Sequence, residues 1–202
     1  MNSFDVNSLR DQADQEQQSK SENKGIIQDG QAKQKVLFVC TGNIARSASA
    51  QYLAQELAGP DSHWIFDSAG TGAMVDAPVA KYIDQELAER AIPFENHKAK
   101  QLTQQLVDES DLVLVMEREH LDWIVQEWPQ YRNRTHLLGQ VARLRESAGR
   151  RVDPISYMRY QDLEIKDEDG IPDPFRKGPE AAADAVKDIE WALNIVIPWL
   201  GN

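Results

Sequence analysis

The chain has 202 residues, 41% hydrophobic and 27% charged, which suits one α/β domain with a tail. A formal net charge of -11 argues against nucleic acid or an anionic membrane surface as a partner. The single cysteine excludes an intramolecular disulfide and points to a reducing, cytoplasmic setting; no secretory signal and no apolar stretch of membrane-spanning length is expected.

Residues 1–34 are rich in Gln, Asp, Ser, Asn and Lys with scattered apolar positions, the composition of a disordered polar tail. The domain is expected over 35–202. Lys35-Val36-Leu37-Phe38-Val39-Cys40 is a short apolar run, as expected of a strand buried on both faces. A loop follows over 41–46, then helical spacing over 47–57. Trp64-Ile65-Phe66 reads as a second strand ended by Ser68-Ala69-Gly70. Helices are expected over 79–90 and 102–108, a third strand over 111–116, a helix over 118–127, and a short fourth strand over 135–138. A long helix over 179–197 carries an apolar stripe. Residues 141–169 hold a row of arginines and then a row of acids, and read as a long surface insertion with at most one short helix. Strands alternating with helices imply a single α/β domain: a twisted four-stranded parallel sheet with helices on both faces. Ligands in such sheets bind beyond the carboxyl ends of the strands, where Cys40 stands.

The stretch Cys40-Thr41-Gly42-Asn43-Ile44-Ala45-Arg46-Ser47 lies between a buried strand and a helix start. Arg then Ser six residues after a Cys arises by chance in roughly one case in a few hundred at average residue usage. The physics is coherent. Successive amides in a tight loop make an anion-binding concavity, and the following helix points its positive end into it. An arginine grips two phosphate oxygens with its planar fork. A thiol in such a field is held as the nucleophilic thiolate, and Ser47 can donate to the sulfur. A phosphate ester also needs an acid for its leaving oxygen. Ile171-Pro172-Asp173-Pro174-Phe175 offers one: two prolines fix the backbone around Asp173, and Phe175 is an apolar neighbour.

With these segments, with Asp-Ser-Ala-Gly-Thr at 67–71, with His97 through Gln101-Leu102 and with the strand ending at Met116, the chain resembles the low-molecular-weight protein-tyrosine phosphatases from Val36 to its end. The resemblance implies that Cys40 attacks phosphorus to form a cysteinyl-phosphate. It implies that Arg46 and the amides of Thr41, Gly42, Asn43, Ile44, Ala45 and Arg46 hold the phosphoryl oxygens, and that Asp173 is the acid and then the base. Asn43, Ser47, Ser68 and His97 fall on the family's loop-supporting network. Ile44, Met74 and Phe175 fall on the pocket wall. No metal or other cofactor is implied, and a monomer is expected.

The chain departs from the family's pattern in places. Ala45 stands where a second, protective cysteine is usual, which leaves Cys40 easier to over-oxidise. Ala48 replaces a common proline, Phe175 a common tyrosine, and Met74 a common aromatic residue. Met74, the Met-Glu-Arg-x-His stretch at 116–120 and Ile-Pro-Asp-Pro-Phe-Arg-Lys make it most like bacterial exopolysaccharide-cluster members, which act on membrane tyrosine autokinases. The insertion, with Tyr157 and Tyr160, is expected to border the active site and to contact a partner.

Other readings fit less well. An arsenate reductase of this fold needs further cysteines. A protein-arginine phosphatase resembles this chain closely, but its pattern carries Thr where Ile44 stands. A non-catalytic phosphate-binding module would lack Cys, Arg or Asp, and all three are present. Gly70-Thr71-Gly72 begins like a dinucleotide loop but lacks its third glycine.

Overall fold

The computed structural model describes residues 33–149, 152–160 and 163–201. Four strands, β1 Gln34–Cys40, β2 Trp64–Gly70, β3 Leu112–Val115 and β4 Thr135–Leu137, form one parallel sheet in the order β2-β1-β3-β4. The helices are α1 Arg46–Ala58, α2 Ile83–Glu89, α3 Gln104–Asp108, α4 Arg118–Glu127, α5 Leu138–Arg145, α6 Pro154–Tyr160 and α7 Pro179–Trp199. Of the polar tail expected over 1–34, residues 1–32 lie outside the described residues, and Gln34 opens β1.

The apolar run in β1 follows from its central position. Val36, Phe38 and Cys40 pack into one cluster with α1, α2, α5 and α7, whereas Leu37 and Val39 pack into another with α3 and α4. A strand buried on both faces cannot alternate apolar with polar residues. The order turns at β1, with β2 on one side and β3 on the other, so the crevice above their carboxyl ends is the topological switch point. Cys40 ends β1 there, opposite Gly70 of β2.

Two expectations need correction. The helix expected over 79–90 begins only at Ile83. Val79 is buried, the Ala80 amide donates to Ile44 O at 2.8 Å, and Tyr82 adopts φ 75°, so this stretch is committed to the Cys40 loop before any helix can start. The surface insertion expected over 141–169 is exposed over much of its described length but also packs side chains into the core. Val141 and Ala142 of α5 and Met158 of α6 are buried in the core. Arg143 meets the buried Asp169 in a fork, Nε to Oδ1 at 2.7 Å and Nη2 to Oδ2 at 2.8 Å. Its tyrosines do not border the active site. Tyr157 packs edge-on against Trp199 at the last turn of α7, and the Trp64 indole at the start of β2 donates to Leu200 O. That is the amino end of the sheet, opposite Cys40. Tyr160 is exposed.

Candidate active site

The loop after β1 is turned inside out by its neighbours. Carbonyl groups of Cys40, Thr41, Gly42 and Ile44 accept from the amides of Thr71, Gly72, Met74 and Ala80, at 2.8 to 3.0 Å. Asn43 O accepts from His97 Nε2 at 2.7 Å, and Ala45 O from the Ser49 amide at 2.9 Å. With every carbonyl committed outward, the amides face the other way. Among the described residues, none of the amides of residues 41–45 donates to a backbone carbonyl. Such a row of free amides is an anion-binding nest.

Asn43 anchors the loop. Its φ of 55° lies in the left-handed region, which asparagine tolerates better than most residues. Its Nδ2 donates to Ser47 Oγ at 3.0 Å and Ser68 Oγ at 2.9 Å, and its Oδ1 accepts from the Lys100 amide at 2.8 Å. Ser68 in turn donates to Gln51 Oε1 at 2.6 Å. Ser47 accepts from Asn43, so its one hydrogen is left for Cys40 Sγ, 2.9 Å away, in preference to Ala69 O at 3.4 Å. A hydroxyl aimed this way makes the sulfur a hydrogen-bond acceptor.

His97 donates through Nε2 to a carbonyl, so its Nδ1 accepts from Tyr52 Oη at 3.3 Å. Burial, with the Lys100 charge nearby, holds this ring below the ordinary histidine range and neutral. His120 is its counterpart on the other flank. Its Nδ1 accepts from the Glu117 amide at 3.1 Å, so Nε2 donates to Thr41 Oγ1 at 3.0 Å. Burial, then the Arg46 charge, depresses its pKa to about 4.

Arg46 is almost wholly buried at the first turn of α1. Its Nη1 donates to Glu117 Oε2 and, at 2.9 Å, to Ile171 O; its Nη2 lies 3.2 Å from Asp173 Oδ1. The Nε hydrogen is buried without a partner among the described residues. An isolated buried charge is very costly, so these carboxylates and the carbonyl fix where the guanidinium sits. The Asp173 segment reaches the site because the Ile171 amide donates to Met116 O at the end of β3, at 2.8 Å.

Cys40, Ile44, Arg46, Met74, Asp173 and Phe175 line one cleft of about 180 Å³, with Thr41, Gly42 and Ala45 at its base. The residues expected at the site lie close together: Cys40, Arg46, Asp173, Ile44, Met74 and Phe175 around one cleft, with Ser47, Ser68 and His97 behind the loop. Sequence reasoning missed Glu117, which pairs with Arg46, and His120, which holds Thr41. Their signal was the stretch at 116–120 that directly follows a buried strand at the switch point. It also missed Gly70, where a Cβ would lie 2.3 Å from Thr41 O and 3.0 Å from the Asn43 amide.

Among the described residues, Glu117, Glu119 and His120 are the grouping able to offer metal ligands, but both His120 nitrogens and the Glu117 carboxylate are already bonded.

The sequence model of the family described as low molecular weight phosphotyrosine protein phosphatase matches residues 35–197. The chain is 30% identical over 148 residues to the low molecular weight protein-tyrosine-phosphatase Wzb of Escherichia coli K12, covering 73% of this chain and 82% of that one. Among solved structures, the tyrosine phosphatase AmsI of Erwinia amylovora superposes with a TM-score of 0.66 at 25% identity, over 88% of this chain and all of that one. The YwlE arginine phosphatase of Geobacillus stearothermophilus gives 0.65 at 25% identity, over 82% of this chain and 91% of that one. The chain thus belongs to the low molecular weight phosphotyrosine protein phosphatase family.

Proposed function

We propose that this protein hydrolyses phosphotyrosine in proteins through a cysteinyl-phosphate on Cys40. One observation carries the reading. Donors without an acceptor among the described residues, the amides of 41–45 and Arg46 Nε, surround a buried cysteine whose sulfur receives a hydroxyl. A phosphoryl group over Cys40 supplies the missing acceptors, and these donors hold its oxygens most tightly in the transition state.

The chemistry runs in two displacements. Cys40 Sγ attacks phosphorus as the bond to the tyrosyl oxygen breaks, and Asp173 gives its proton to that oxygen. An arriving phosphoryl oxygen takes the place of Asp173 Oδ1 at Arg46 Nη2, which releases the carboxyl for this role. Water then attacks phosphorus, Asp173 takes its proton, and the S–P bond breaks to restore the thiolate. Glu117 stays on Arg46 throughout as a positioning residue. Resemblance to exopolysaccharide-cluster members extends the proposal to a membrane tyrosine autokinase as substrate, met from the cytoplasm.

Similarity in fold to an arginine phosphatase supports a second reading, phosphoarginine hydrolysis. Ile44 on the cleft wall favours the flat phenyl ring over a guanidinium. The test is hydrolysis of phosphotyrosine, phosphoarginine and phosphoserine peptides with EDTA present and Cys40→Ser as control. Turnover of phosphotyrosine, indifferent to EDTA and lost in the variant, is expected. Preference for phosphoarginine would replace the first reading with the second.

A further inference from the structure

Beside the cleft lies a second cavity of about 220 Å³. The two share Ala45 and Phe175, so the Phe175 ring forms part of the partition. The floor is apolar, built from Tyr82, Ile83, Pro174 and Ala182, and the rim carries Lys81 and Arg176 with no carboxylate among the lining residues described. Neither cation has an ion pair among the described residues. Lys81 Nζ instead lies 4.8 Å from the Tyr82 ring centre, and Arg176 Cζ lies 5.0 Å from that of Phe175. Tyr82 and Arg176 also hold φ values of 75° and 60°, a region costly for side chains larger than glycine. In a chain of net charge -11, an apolar hollow rimmed only by cations is a local exception.

We infer that this cavity is a second subsite for the substrate polypeptide. It takes an apolar side chain close in sequence to the phosphotyrosine, and an acidic residue beside that side chain faces Lys81 and Arg176. The inference rests on the phosphatase reading above. A chain seated with its phosphotyrosine in the cleft crosses the Phe175 rim, and one or two extended residues at about 3.3 Å each bring a neighbouring side chain to the hollow. The volume suits one leucine- or phenylalanine-sized group, and the charge suits an acidic segment.

The test compares kcat/KM for a phosphotyrosine peptide carrying Leu and Glu beside the target, for the same peptide with Leu→Gly, and for it with Glu→Lys. Each value is divided by that for phenyl phosphate, which is too small to reach the hollow. Leu→Gly should lower the ratio about tenfold, as loss of one buried apolar side chain does. Lys81→Glu should lower the ratio for the acidic peptide about fivefold at low salt and raise it for the lysine peptide, whereas Lys81→Arg preserves the wild-type order. Ratios indifferent to both peptide changes and to Lys81→Glu, with phenyl phosphate still hydrolysed, would overturn the subsite. Failure of the wild type to hydrolyse phenyl phosphate would overturn the phosphatase reading itself, a distinct result.

Discussion

Gly70→Ala tests whether the loop geometry governs activity. Gly70 ends β2 opposite Cys40, and its backbone needs no left-handed conformation, so the substitution acts by volume alone. The new Cβ would stand 2.3 Å from Thr41 O, where ordinary contact begins at 3.4 Å, and also 3.0 Å from the Asn43 amide. All these atoms are backbone or anchored, so the loop must retreat by about 1 Å. A displacement of that size in a catalytic constellation costs about 10²-fold in rate, and overpacking costs about 1–3 kcal/mol of stability. The matched control is Gly170→Ala, at φ -82°, whose Cβ meets nothing closer than 3.6 Å. The assay is kcat/KM on phenyl phosphate, the inhibition constant of inorganic phosphate, and the Tm of each variant. Weakened phosphate inhibition and rate in Gly70→Ala alone are expected. Wild-type kcat/KM in a folded Gly70→Ala would show that this contact does not set the loop's catalytic geometry.

Asp173→Ala should lower kcat about 10²- to 10⁴-fold with little change in KM, because proton transfer matters only in the transition state. The loss should shrink for 4-nitrophenyl phosphate, whose leaving group needs no proton; equal losses on both esters would remove Asp173 from the acid role. Glu117→Gln leaves the buried Arg46 with one fewer anionic partner, which should cost about 1–3 kcal/mol in urea unfolding and lower kcat/KM. An unchanged variant would show that Ile171 O and Asp173 suffice. His120 has a folded-state pKa of about 4, below the unfolded value near 6.5, so the unfolded chain takes up its proton first as pH falls. Stability is thus lost between about pH 6.5 and 4, on the order of 3 kcal/mol from this residue. His120→Gln should lose less than wild type between pH 7 and 5; equal losses would contradict the buried neutral ring.

What the sequence carried and what it hid have separate causes. The strand to Cys40 was legible because a run apolar at every position has few alternatives to a doubly buried strand. The loop was legible because Cys, Gly, Arg and Ser stand at fixed spacing over contiguous residues. The partners that set its geometry lie far off in the chain: Glu117 is 71 residues from Arg46 and His97 is 54 from Asn43. No local pattern reports such pairs. The stretch over 141–169 was misjudged for a similar reason. Its arginines and acids read as solvated rows, yet Arg143 and Asp169 satisfy each other across 26 residues. Leu138, Val141 and Ala142 have the spacing of a buried helix face, which is obscured by Arg143 and Arg145 in the turn that follows. The late start of α2 shows tertiary bonds overriding helical periodicity, since Ala80 serves the loop first.

Trapping the covalent intermediate tests the cysteinyl-phosphate on Cys40 directly. Wild type, Asp173→Ala and Cys40→Ser are mixed with a phosphotyrosine peptide, quenched within one turnover, and the protein mass is measured. Cys40 is the sole cysteine, so a sulfur-bound phosphoryl group can sit nowhere else. One phosphoryl group added to wild type and Asp173→Ala, mapped to the Cys40 peptide and absent from Cys40→Ser, is the result expected. Hydrolysis that proceeds in Cys40→Ser, or a phosphoryl group found on another residue of the wild type, would exclude Cys40 as the nucleophile.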